Sequence, residues 1–163
     1  SSQGCGCSSG FSCQGDACVP TTIDCTITTS CSYADLFHIS NKTNAHAEIS
    51  SLSNYPNKVC CGTSELINTS CTSPDTKLIA LSATTNAHVE KIVQTDYPIE
   101  ACMSSLASTI TCSYVTAVGN GFTACTSAGY HTCAATISAN TDAHAADCIT
   151  DPYDIKVCCK IGV

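Results

Sequence analysis

Three tetrapeptides hold the residues of this chain best suited to chemistry. They open the stretches "TNAHAE" at Thr43, "TNAHVE" at Thr85 and "TDAHAA" at Thr141. Side chains two apart on an extended strand share a face. Asn44, His46 and Glu48 would therefore point together, as would Asn86, His88 and Glu90; the third copy offers Asp142 and His144, with Ala146 in place of the acid. An amide or carboxylate oxygen beside an imidazole could hold a metal ion. Oxygen donors suit calcium, and imidazole suits zinc or copper. The competing reading is structural, with His and Asn hydrogen-bonding a neighbouring strand or loop and fixing a turn. Calcium seldom takes imidazole, the third copy has lost its Glu, and each copy brings only one His to its own unit. The pattern is therefore read as structural, with no cofactor expected and calcium as the alternative.

Nothing else in the chain marks a reaction centre. There is no GxSxG, HExxH, phosphate-binding glycine loop or CxxCH. His38 and His131 lie outside the repeated position, and the carboxylates are dispersed, so no acid/base pair can be named. A catalytic site is usually unique in a chain, whereas the distinctive residues here are triplicated. The expectation is architecture and not an enzyme.

The copies extend well past the tetrapeptide. A Tyr follows each His by nine residues (Tyr55, Tyr97, Tyr153) and a Cys by fourteen (Cys60, Cys102, Cys158). Each Tyr has a Pro beside it and is read as a packing residue that anchors the turn before a last strand. The histidines are spaced 42 and then 56 residues apart. The third unit thus carries an insertion, placed within "SYVTAVGNGFTACTSAGYHTC". Repeats of this length are usually one supersecondary unit copied and stacked, each copy unable to bury its apolar face alone. Thr, Ser, Val, Ile and Tyr dominate, in short alternating runs such as "CTITTSC" and "LFHIS"; only "TSELIN" and "AHVEKIVQ" could form a helical turn or two. The predicted fold is all-β: small disulfide-stapled, β-sandwich-like modules over 25–70, 71–111 and 112–163, after a Cys/Gly-rich loop segment over 1–24.

Sixteen cysteines in 163 residues indicate a disulfide scaffold and an oxidising compartment. The N-terminal segment is expected to hold two bridges among Cys5, Cys7, Cys13 and Cys18. Equivalent bridges are expected in the units: Cys31–Cys60, Cys71–Cys102 and Cys125–Cys158. The second member of each vicinal pair, Cys61 and Cys159, has Met103 as its counterpart in the middle unit and is assigned to an inter-unit or inter-subunit bond. Neighbouring strand residues face opposite ways, so each can take a different partner.

A net charge of −7 with six Lys plus Arg cannot build a stripe that neutralises phosphates, which excludes nucleic acid. It also disfavours anionic membrane surfaces. No apolar run is long enough to span a bilayer, and the start "SSQGCGCSSG" is read as a mature form after removal of a leader. Asn41 and Asn68 head N-x-S/T sequons and are candidate glycan sites.

The pattern "TNAH.E … YP..VCC" resembles a repeat of cysteine-bearing exported surface proteins of uncultured archaea and bacteria, over about two thirds of the chain. That resemblance implies an extracellular or cell-surface setting and no catalytic residues. The functional expectation is a structural subunit of an extracellular fibre, appendage or coat that self-associates into a homopolymer. The alternative is a secreted adhesin, glycan- or calcium-dependent, with one site per unit around His46, His88 and His144. A cysteine-rich inhibitor or toxin is a third and weaker reading.

Overall fold

A computed structural model describes residues 6–63, 67–72, 76–105, 108–150 and 152–162. It is all-β apart from one short helix. The N-terminal segment is a hairpin and not an irregular loop. β1 (Phe11–Gln14) and β2 (Ala17–Pro20) pair antiparallel. Gly15 opens their two-residue turn at φ +62°, a conformation that suits a tight hairpin and that glycine adopts without steric cost. Cys7 is bonded to Cys18 and Cys13 is also oxidised; Cys5 lies outside the described residues.

The repeats become three four-stranded antiparallel sheets of one topology. The first is ordered β3-β6-β4-β5, from Asp24–Thr28, Asn57–Gly62, Ala34–Ile39 and Ala47–Ile49. The second has β7 (Ile67–Asn68), β10 (Ile99–Ser105), β8 (Thr76–Leu81) and β9 (Val89–Glu90) in the same order. The third has β11 (Thr109–Thr116), β14 (Ile155–Gly162), β12 (Thr132–Ile137) and β13 (Ala145–Ala146). The sheets thus span 24–62, 67–105 and 109–162, so each of the two inner boundaries falls a few residues earlier than the cysteine pattern suggests.

The units close into a ring instead of stacking in a row. Ala45 pairs with Ala145, Ala47 with Ala87 and Val89 with Ala143, each through two reciprocal N–H···O bonds of 2.8–2.9 Å. The first strand residue of every unit therefore meets the third of the unit before it, around an approximate threefold axis. A second cycle of main-chain bonds surrounds this one: Ile49 N–H to Thr84 O, Lys91 N–H to Asn140 O and Asp147 N–H to Lys42 O. All six residues of the inner ring are fully buried, five of them alanine, because backbones approach this closely only where side chains are small. Tyr114 ties two units from outside: its hydroxyl donates to Leu78 O and accepts from Ile92 N–H, and burial pushes its pKa up to about 12.

One hydrophobic core runs through all three units. Phe37 and Ile39 of the first, Leu78, Leu81 and Met103 of the second and Ile137 and Val157 of the third belong to it. The repeats therefore share a core and do not stand as separate domains. Cys31–Cys60, Cys71–Cys102 and Cys125–Cys158 are bonded. Cys61 and Cys159, expected to reach between units or subunits, are bonded to Cys25 and Cys112 of their own units. The physical reason is the strand order: β6 lies between β3 and β4, so Cys61 faces Cys25 across the ladder. No described cysteine is free.

The insertion in the third unit contains the helix, α1 (Gly121–Ser127), where only a turn is expected from the sequence. The Asn120 side chain caps it by accepting from the N–H groups of Phe122 and Thr123. Cys125, on its buried side, and the additional Cys133–Cys148 bridge fix the helix to the sheet.

The ring makes a direct prediction about size at its alanines. Ala45→Leu overpacks a site with no spare volume and should cost about 1–3 kcal/mol, seen as a lower denaturant midpoint under non-oxidising and oxidising conditions alike.

Candidate metal centre

The three repeated histidines meet on the axis. Ring centroids of His46, His88 and His144 are 4.9–5.0 Å apart. One nitrogen from each lies within 4.8 Å of the other two. They were expected to remain one per unit; the cyclic closure brings them together, because each His sits between the two ring residues of its own unit.

Two local devices aim the rings. Ser40, Ser82 and Ser138 clamp the backbone: each Ser N–H donates to the O of His46, His88 or His144, and each Ser Oγ accepts from the same histidine's N–H. Asn44, Asn86 and Asp142 have φ of +45°, +49° and +49°, the left-handed region that Asn and Asp tolerate better than other non-glycine residues. Their side chains then lie behind the imidazole of the adjacent unit. His46 Nδ1 donates to Asn86 Oδ1, and His88 Nδ1 donates to Asp142 Oδ1. Asn44 holds the corresponding place in the cycle and accepts from the Tyr153 hydroxyl; the Tyr97 hydroxyl donates to Asp142 Oδ1.

These bonds decide the tautomers. Amide and carboxylate oxygens only accept, so Nδ1 of His46 and of His88 carries the proton, and each neutral ring presents its Nε2 lone pair elsewhere. His46 Nε2 lies 3.1 Å from His144 Nε2. Burial pushes the His144 pKa below its ordinary value, and His46 and His88 push it further down against the pull of Asp142. Three imidazoles thus converge. A proton on His144 Nε2 can serve one edge of the triangle, whereas a cation on the axis serves all three corners. Zn–N bonds of about 2.0–2.1 Å in tetrahedral geometry put ligand nitrogens ~3.3 Å apart, close to the His46–His144 edge. Hydrogen-bonded acceptors behind metal-binding imidazoles also fix their orientation and raise their basicity. The His88 bond holds the Asp142 carboxyl below the usual carboxylate range.

The acidic members of the motif do other work. Glu48 and Glu90 are fully buried, beneath the turns that lead to Tyr55 and Tyr97. Each carboxylate accepts from the following Tyr N–H at 2.7 Å and from a threonine of the next unit, Thr85 or Thr141. Glu48 also bonds Asn54 and His38, and the His38 ring bridges it to Asp35. In the third unit, where Ala146 replaces Glu, the Thr136 hydroxyl takes the Tyr153 N–H instead. Burial pushes the Glu48 carboxyl up, but hydrogen bonds from Tyr55 N–H, Asn54, His38 and Thr85 outweigh it and leave the pKa below the ordinary value.

Of the eight candidate ligands, three histidines meet; Asn86 and Asp142 stand behind two of the rings, Asn44 accepts from Tyr153, and Glu48 and Glu90 are outside the site. Calcium, which needs six or more oxygens, would meet only imidazole nitrogens in this trio. The serines were missed, although Ser recurs six residues before His in every copy. The tyrosines, read as packing residues, add a polar role through the Tyr97 and Tyr153 hydroxyls. Among the sequons, Asn41 is exposed, and the backbone of Asn68 pairs with Ser104. The second described trio, Cys71, Glu100 and Cys102, includes a disulfide and offers no thiolate pair. Comparison with protein-family models, curated proteins and solved structures found no match.

Two substitutions separate the roles of these side chains. Glu48 has a folded pKa below its unfolded value, so its contribution is complete above the ordinary carboxyl value of 4.5 and is lost as pH falls through the folded pKa. Glu48→Gln should cost about 1–3 kcal/mol at neutral pH, and the gap to the parent protein should close in acid denaturation series. Asn86→Gly keeps the left-handed backbone and removes only the acceptor behind His46. Its denaturant midpoint should stay near that of the parent, while the His46 Nδ1–H signal seen by NMR loses its hydrogen-bonded shift.

Proposed function

We propose that this protein is an exported metal-binding module, a rigid unit of a cell-surface structure in which one zinc-class ion locks three repeats on their common axis. The observation that carries this reading is the convergence of three imidazoles, two of which, His46 and His88, direct their Nδ1 protons to acceptors behind the rings. Its bridges are those of a protein from an oxidising compartment, and no helix among the described residues is long and apolar enough to cross a membrane. An ion held by all three units adds a cross-link where, among the described residues, no disulfide runs between the three four-stranded sheets. Copper would also suit three imidazoles, and by the Irving–Williams order binds such sites more tightly than zinc. In the alternative reading, a secreted adhesin that is glycan- or calcium-dependent, the three histidines would offer one shared site instead of one per unit.

β3, β7 and β11 are edge strands of the described sheets, and a fibre or coat would assemble by addition of another chain's strand to such an edge. With Cys61 and Cys159 already bonded inside their units, cohesion of such an assembly would rest on strand addition and not on sulfur. Glycan at Asn41 is compatible with its exposure.

Equilibrium dialysis against zinc followed by elemental analysis should find one ion per chain, with a raised thermal midpoint. His88→Ala should abolish stoichiometric binding, and Asp142→Asn should weaken it by about 10–100-fold. A parent protein that binds no zinc, copper or cobalt at micromolar concentration would overturn the reading. Negative-stain microscopy tests the assembly: filaments or lattices are expected, and dispersed monomers at high concentration count against it.

A further inference from the structure

The axis supplies three ligands, and a tetrahedral ion takes four. Other polar groups of the repeated motif are engaged elsewhere. Asp142 Oδ1 is turned to the back of the His88 ring, and the Tyr97 and Tyr153 hydroxyls point at Asp142 and Asn44. Glu48 and Glu90 are buried beneath their turns. The imidazoles themselves are half-buried, His88 with 34% of its side chain exposed, and Asp142 beside it is 74% exposed. The end of the axis at which the rings meet thus lies at the surface.

We infer that the fourth position is open to solvent and exchangeable, and that a bound ion there makes the module a hydrolytic site for small neutral esters; this rests on the metal reading above. Three neutral imidazoles leave the full charge of a divalent ion uncompensated, the ligand set that most favours ionisation of a bound water. Water on the ion releases a proton to solvent. The hydroxide oxygen then bonds to the ester carbonyl carbon, the carbon–oxygen bond to the alcohol breaks with its electron pair going to the leaving oxygen, and that oxygen is protonated by solvent. Water displaces the carboxylate product and restores the site. Neutral substrates are favoured over phosphate esters because the exposed Asp142 carboxylate borders the site and the chain carries a net charge of −7. The Ser clamps and the acceptors behind the rings act as positioning groups, and no described side chain is placed to act as a general base.

The test uses the whole oxidised protein in metal-free, zinc-loaded and cobalt(II)-loaded forms. Azide should shift the visible spectrum of the cobalt protein, since an open position exchanges water for the anion. Zinc-loaded protein should hydrolyse 4-nitrophenyl acetate at least about tenfold faster than both the metal-free protein and an equal concentration of free zinc, and azide should suppress the difference. His88→Ala should lose the activity, with circular dichroism checking that it folds; Asp142→Asn, a milder change, should need about 10–100-fold more zinc for half-maximal activity. A cobalt spectrum unmoved by azide, or a zinc form no faster than free zinc, in protein holding one ion per chain would overturn the open position while leaving the metal reading intact. Protein that holds no metal would overturn both.

Discussion

The structure depends on six main-chain hydrogen bonds that link the three units pairwise around the axis. No unit makes them alone: each lends one residue to the unit before it and one to the unit after. The bonds require backbones to pass closely, which explains the alanines at Ala45, Ala47, Ala87, Ala143 and Ala145, with Val89 the one larger residue. They lie in the middle of a core shared by all units. A weakened pair would therefore open the buried face of two sheets at once, and closure is all-or-none in a way that a row of stacked repeats is not.

From that closure follows the chemistry on the axis. The residue between two ring residues must point to one side, and in each copy it is histidine. The residue before the ring takes a left-handed conformation, and there Asn86 and Asp142 serve a second purpose by accepting from the imidazole of the preceding unit. One residue type thus satisfies a backbone demand and a side-chain demand together. The cycle is not fully equivalent. His88 has a carboxylate behind it and His46 an amide, so the electron-donating power of the ligands differs around the site. Glu48 and Glu90 maintain contacts between units through threonine, and the third unit does without by way of Thr136.

Much of this was legible in the sequence, and the limits have physical causes. The repeats, the all-β character and the bridges Cys31–Cys60, Cys71–Cys102 and Cys125–Cys158 follow from spacing, because each concerns contacts inside one unit. The partners of Cys61 and Cys159 had a signal too. The first unit carries two cysteines upstream of its vicinal pair, Cys25 and Cys31, and the third carries four, Cys112, Cys125, Cys133 and Cys148, while the middle unit with Met103 carries Cys71 alone. Whether repeats run in a line or close into a ring is a different matter: it is set by inter-unit pairing that leaves no local periodicity. Residues 42 and 56 apart therefore gave no warning that they would touch, and the histidines looked solitary. The helix at Gly121–Ser127 was hidden because "NGF" reads equally as a turn, and a cap acts through side-chain geometry that composition does not record.

The lending of residues between units has a consequence for how such a chain could arise. A polypeptide carrying a single unit would have the donors and acceptors of the ring but nobody to give them to. It could satisfy them only by meeting two identical molecules, which makes a homotrimer the natural ancestor. Joining the three copies in tandem removes the entropic penalty of assembly and frees each copy to diverge, as the lost acid, the added helix and the missing sulfur of the middle copy show.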